Sequence, residues 1–187
     1  STTEDAVYAI ITGAGTVRAD NPTLTARPAG PRTALRVVFD SDGSSIQEGC
    51  ELLRTGNLAP LLLCVSKQHA TSDHVQQLQQ AGVEVLALQE DNRAAHVGEL
   101  LAELGRRKMT NVLLEAGAGL MGTFFDTDAV DEVHVFVAPK IVGGVGAMSP
   151  IAGFGAENIP QESSLSGCRV QMFGTDVLLE GRLRRSD

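Results

Sequence analysis

Between Leu35 and Ala138 short apolar runs alternate with amphipathic stretches, and this alternation constrains the fold more than any single motif. Leu35–Phe39, Leu61–Val65, Val83–Leu88, Asn111–Ala116 and Glu132–Ala138 read as strands. Ser72 is placed to N-cap a helix whose apolar face includes Val75 and Leu78 and whose end is Gly82. Val97, Leu100, Leu101 and Leu104 fall at helical spacing, and Gly119–Thr127 reads as a further helix. The resulting β-α-β-α-β-α-β order favours a mainly parallel sheet with helices on both faces, because parallel neighbours need crossover connections. Upstream, Ala6–Ile11 reads as a strand broken by Gly13-Ala14-Gly15, and Thr16–Asn21 as a short helical turn stopped by Pro22. The end of the chain differs. Arg169–Phe173 and Val177–Leu183 flank Gly174-Thr175-Asp176, which reads as an antiparallel hairpin with a three-residue loop. Arg27–Thr33 and Gly143–Ser164 are Pro/Gly-rich loops.

With 187 residues, 43% hydrophobic and 20% charged, the chain fits a single domain, residues 1–187, with a full-sized core. Aromatic residues are scarce and Trp is absent, so that core is aliphatic. A net charge of −8 without any basic run argues against nucleic acid. Cys50, Cys64 and Cys168 are odd in number and far apart, which suits a reducing cytoplasm. His69, His74, His96 and His134 do not cluster either, so no metal site is expected. No signal peptide or membrane-spanning run is visible, and no membrane partner is expected.

The chemistry concentrates at two glycine breaks. Leu113-Leu114-Glu115 ends an apolar run in a carboxylate, and Gly117, Gly119 and Gly122 follow at G-x-G-x-x-G spacing before a helix. Backbone amides at such a junction can face a phosphate, and the helix N-terminus favours negative charge. A Rossmann fingerprint would open the domain and be followed about 20 residues later by an acid at the end of the next strand. Here the motif comes late, and the next strand ends in Ala138-Pro139-Lys140. A glycine-rich turn serving only close helix–strand packing is the competing explanation. The second break, Gly13-Ala14-Gly15, leads into Thr16, Asp20 and Arg27, a hydroxyl, a carboxylate and a cation in one loop after the first strand. Each alone has a plain explanation: a cap, a turn, a solvated charge.

The two segments together resemble a known family. Gly15-Thr16-Val17-Arg18-Ala19-Asp20-Asn21-Pro22, with Leu24, Thr25 and Arg27, is similar to a signature of the reductase domain of bacterial bifunctional riboflavin-biosynthesis proteins. So are Val37-Val38-Phe39-Asp40-Ser41, Leu114 through Thr123, Val130-Asp131-Glu132, and Ala138-Pro139-Lys140 with Gly143. The resemblance runs from Ala6 to the final hairpin. It implies a dihydrofolate-reductase-like three-layer α/β fold, with a mostly parallel central sheet flanked by helices and a C-terminal antiparallel hairpin. It also implies NADPH as cofactor and a phosphorylated pyrimidine as substrate, the ribosyl group of 5-amino-6-(5-phosphoribosylamino)uracil being reduced to ribityl. By motif, Thr16, Asp20, Ser41, Gly117, Ala118, Gly119, Leu120, Met121, Gly122 and Thr123 correspond to cofactor positions, and Leu24, Arg27 and Glu115 to substrate positions.

Arg27 suits a phosphate through paired hydrogen bonds, and Glu115 suits sugar hydroxyls or ring amines. Asp20 and Glu115 are the two candidates for assisting protonation. Lys140 reads as a solvated loop lysine. The chain departs from the family pattern in lacking an N-terminal strand with a Ser-Leu-Asp-Gly-like motif, and it carries no zinc-deaminase motif. The family implies a homodimer, and fusion to a zinc deaminase domain in the full-length protein. Two other readings compete: a related reductase acting on a pterin, and a non-catalytic nucleotide-binding or dimerisation domain.

Overall fold

The structure, a computed structural model, describes residues 8–25, 33–147, 149–155 and 164–184. Five strands form a parallel sheet: β1 (Ala9–Gly13), β2 (Leu35–Phe39), β3 (Leu61–Ser66), β4 (Glu84–Leu88) and β5 (Val112–Leu114), in the order β4-β3-β2-β1-β5. Every residue of β1, β2 and β3 is buried, as expected of parallel strands covered on both faces. Alternate residues feed two cores. Ile11, Val37, Phe39 and Leu62 pack with Val97, Leu100 and Leu104 of α4 (Arg93–Arg106) and with Leu120 and Phe124 of α5 (Ala118–Asp126). Ile10, Val38, Leu63 and Val65 pack on the opposite face. Their neighbours are Val17 of α1 (Ala14–Asp20), Leu52 of α2 (Glu51–Arg54), and Val75 and Leu78 of α3 (Asp73–Gln80).

The caps follow the side chains available. Ser72 accepts a hydrogen bond from the Val75 N–H at 3.4 Å, and Asn92 accepts one from Ala95 at 2.8 Å. Each satisfies an amide that the helix itself leaves unpaired. The first strand extends to Gly13, two residues beyond the expected Ile11, because Thr12 and Gly13 still pair with Val38 and Phe39. The helix α1 then begins at once, at Ala14 rather than Thr16.

Two expectations need correction. The run from Glu132 is not a further parallel strand. As β6 (Glu132–Val137) it pairs antiparallel with β8 (Asp176–Leu183), which also pairs with β7 (Leu165–Phe173), giving a separate sheet ordered β6-β8-β7. Cross-strand polar pairs support that register: His134 faces Glu180 at 3.1 Å, and the Glu132 carboxylate faces Arg182 at 3.7 Å. The hairpin loop has two residues rather than three, since Asp176 pairs with Phe173, and Gly174 takes the positive φ of +62° that the tight turn requires. The parallel sheet with its helices and the antiparallel hairpin otherwise match the expected class.

Residues 151–155 dock on α5. The Ala152 N–H donates to the Ala118 carbonyl at 3.0 Å, and the Phe154 N–H donates to the Asp126 carboxylate at 3.0 Å. Gly122 lies directly beneath, where a β-carbon would collide with the Ala152 backbone. We expect Gly122→Ala to cost about 1–3 kcal/mol by overpacking, read by chemical denaturation; wild-type stability would contradict this docking. Burial pushes the Cys64 thiol, in the centre of the sheet, up to about 12, whereas Cys168 is exposed. A thiol reagent at mildly alkaline pH should therefore modify Cys168 quickly and Cys64 only after unfolding. Fast labelling of Cys64 in the folded protein would contradict the packing of β3.

Candidate active site

The order of the parallel strands creates a crevice. From β1 the chain proceeds through α1, α2 and α3 on one face to β4, then returns through α4 on the other face to β5, on the far side of β1. The strand order therefore reverses between β1 and β5, and ligands of open α/β sheets bind outside the carboxyl ends at such a point. Both glycine breaks lie there. β1 ends in Gly13 and opens α1; β5 is followed by Glu115, Ala116 and Gly117 and opens α5.

The breaks are in contact. A β-carbon added at Gly117 would lie 3.8 Å from the Thr16 hydroxyl oxygen, and one at Gly13 would lie 3.3 Å from the Leu120 side chain. The Glu115 N–H donates to the Ile11 carbonyl at 2.9 Å, which holds the carboxylate-bearing residue at the rim with its side chain exposed. Helix α5 starts from Gly117 with no side-chain cap, unlike α3 and α4. Its first-turn amides are thus free of side-chain competition at the point where an anion would be favoured.

The structure sorts the remaining candidates. Gly117, Ala118 and Gly119 form the opening turn of α5. Leu120 and Gly122 are buried packing positions, Met121 is half-buried, and the Thr123 hydroxyl donates back to the Gly119 carbonyl at 3.0 Å. Asp20, the last residue of α1, is exposed. Ser41 follows β2, the next strand end along; its carbonyl accepts hydrogen bonds from the Ser66 N–H at 3.0 Å and the Ser66 hydroxyl at 2.8 Å. The Leu24 side chain is buried in the core beside Val38, so what it offers a ligand is chiefly backbone. Arg27 lies outside the described residues. Lys140 is exposed beyond β6.

One group was not singled out from the sequence. Arg18 donates to the Ser44 hydroxyl at 2.7 Å, and Ser44 donates to Asp42 from its hydroxyl at 2.6 Å and its N–H at 2.9 Å. These Ser44 hydrogen bonds, joined by one with Asp40 and by the charge of Arg18, lower the Asp42 carboxyl to about 2. Asp-x-Ser after a strand is a recognisable side-chain-to-backbone turn, the one local signal that could have found it. Among the described residues no three or more His, Cys, Asp or Glu side chains gather as a metal site. No described helix is long and apolar enough to cross a membrane.

Comparison with known proteins agrees with this arrangement. A solved Thermotoga maritima structure, described as a diaminohydroxyphosphoribosylaminopyrimidine deaminase/5-amino-6-(5-phosphoribosylamino)uracil reductase, superposes with a TM-score of 0.72. It is 24% identical and covers 95% of this chain and 46% of its own, which establishes the shared fold. The riboflavin biosynthesis protein RibD of Actinobacillus pleuropneumoniae is 33% identical over 175 residues, 92% of this chain. A 2,5-diamino-6-ribosylamino-4(3H)-pyrimidinone 5′-phosphate reductase of Aquifex aeolicus is 28% identical over 153 residues, 82% of this chain and 66% of its own. The chain spans about half the length, 45%, of the RibD relative from Actinobacillus. The family model for the RibD C-terminal domain matches residues 3–179, so this chain belongs to the RibD C-terminal domain family.

Proposed function

We propose that this domain is an NADPH-dependent reductase of riboflavin biosynthesis, acting on the ribosyl group of 5-amino-6-(5-phosphoribosylamino)uracil. The observation that carries the reading is the close approach of Thr16 to Gly117 at the strand-order reversal, which unites two motifs far apart in sequence. The name of the Actinobacillus relative supports the pathway, and that of the Aquifex relative supports reduction of a related ribosylamino-pyrimidinone 5′-phosphate.

The residues fit a dinucleotide. The uncapped first turn of α5, where Gly117 keeps side-chain bulk away from Thr16, suits a pyrophosphate. In this reading Thr16, Asp20, Ser41 and residues 117–123 hold the cofactor. Leu120 and Gly122 act there by fixing the helix against Gly13 and Ala152. When bound, the cofactor supplies the hydride. The chain's own task is to present C1′ of the substrate at the crevice, exclude water and deliver a proton. Glu115, exposed at the rim of β5, accepts hydrogen bonds from the substrate's hydroxyls or amines, and Arg27 pairs with its phosphate. Asp20 and Glu115 are the candidate proton carriers, directly or through a water.

The domain works in the cytoplasm as a homodimer, fused to a deaminase domain. Its antiparallel sheet supports the dimer by presenting Phe136 and Phe173 on one face, their rings 6.1 Å apart and each more than half exposed.

The test is substrate-dependent NADPH oxidation by the full-length protein, with NADH as a second arm. Glu115→Gln and Arg27→Ala should each lower kcat/KM about 10- to 100-fold, the usual cost of a hydrogen bond to a charged group, with Arg27→Ala acting mainly on KM. No substrate-dependent oxidation by the wild type would refute the assignment. Sedimentation should show a dimer that Phe136→Asp weakens; a wild-type monomer at micromolar concentration would remove that part of the proposal.

A further inference from the structure

Arg36 stands in β2, a strand otherwise made of Leu35, Val37, Val38 and Phe39, and none of its surface is exposed. A guanidinium there is costly unless its donors are satisfied, and an apolar side chain of similar volume would often serve stability as well. Its hydrogen-bond partners among the described residues are not carboxylates. Nη1 donates to the Thr55 hydroxyl at 2.7 Å and the Thr23 carbonyl at 3.3 Å; Nη2 donates to the Ala59 carbonyl at 2.5 Å and the Thr55 carbonyl at 3.3 Å. Nε is buried without a partner among the described residues. Desolvation lowers the pKa of the group.

These bonds tie residues 21–25, which follow α1, to the end of α2. A second bond ties the same segment to the start of α2, where the Glu51 N–H donates to the Asn21 side-chain oxygen at 2.9 Å. The segment that carries the two pins is held in an unusual shape. Asn21 has a φ of +43° and Leu24 one of +50°, conformations that side-chain-bearing residues adopt rarely. Leu24 is also held by burial in the core. Strain of that kind persists only where the surroundings over-determine it.

The geometry points to Arg36 as a positioning residue for substrate binding: with Thr55 and Asn21 it clamps residues 21–25 onto α2 and thereby sets the backbone that Leu24 presents. The inference rests on the proposed role of Leu24 in holding substrate. Arg36 touches neither substrate nor cofactor in this account. The planar fork of its guanidinium is what allows one side chain to reach three carbonyls and a hydroxyl at once.

Two measurements on the full-length protein test it. In Thr55→Val and Arg36→Met, the KM for the ribosylamine phosphate should rise about tenfold, the scale of losing one hydrogen bond to a charged donor, while kcat and NADPH affinity stay within about twofold. Arg36→Lys, which keeps the charge without the fork, should recover part of the loss. Hydrogen exchange of residues 21–25 should accelerate in both disrupting variants while that of β3 does not. Thr55→Val keeps the test available if Arg36→Met fails to fold. Unchanged exchange would overturn the clamp. Faster exchange with unchanged KM, or a higher KM accompanied by comparable losses of kcat and NADPH affinity, would overturn the positioning role. Absence of wild-type turnover would instead refute the function proposed above, and the exchange measurement would still judge the clamp.

Discussion

Everything at the crevice depends on the pairing of β1 with two parallel neighbours at once. Ala9 is in register with Leu35 of β2 on one side and Val112 of β5 on the other. This alignment brings the carboxyl ends of β1 and β2 level, Gly13 beside Phe39, while β5 ends two residues short, with Leu114 beside Ile11. The chain leaves β1 on one face of the sheet and arrives at β5 from the other, which is where a crevice opens in such sheets. Two glycine breaks separated by about half the chain become neighbours for that reason alone.

The strands were legible because burial on both faces leaves continuous apolar runs, and Leu35–Phe39 was read with its observed limits. Ser72 was legible as a cap because a hydroxyl just before an amphipathic run has few other uses. The four-residue α2 was not, since it is too short to show a period. Nor was the change of partner at β6. Its sequence reads as a strand in either sheet, and the deciding contacts, His134 with Glu180 and Glu132 with Arg182, join residues about fifty apart.

The site was legible in a different sense. Thr16 and Gly117 each had a plain local explanation, and only the resemblance to a family joined them before the structure placed them side by side. Within the glycine motif the residues divide by duty in a way spacing does not reveal. Gly117 leaves room beside a hydroxyl, Gly122 leaves room beneath a carbonyl, and Thr123 bonds its own helix. Arg36 stayed invisible because a reading by apolar periodicity treats a charge in a strand as an interruption rather than as an anchor.

The edges of the two sheets have a practical consequence. Among the described residues β4 and β5 are the outer strands of the parallel sheet, and β6 and β7 those of the antiparallel one. An outer strand presents unpaired N–H and C=O groups that will accept another strand from any source. Around β6 these groups adjoin Val135, Phe136 and Val137, all substantially exposed and of high β-propensity. Preparations of this stretch of chain by itself would therefore be expected to self-associate through backbone pairing as concentration rises. Additives that compete for apolar surface would be of more use in handling it than changes in salt, because that association draws on little charge.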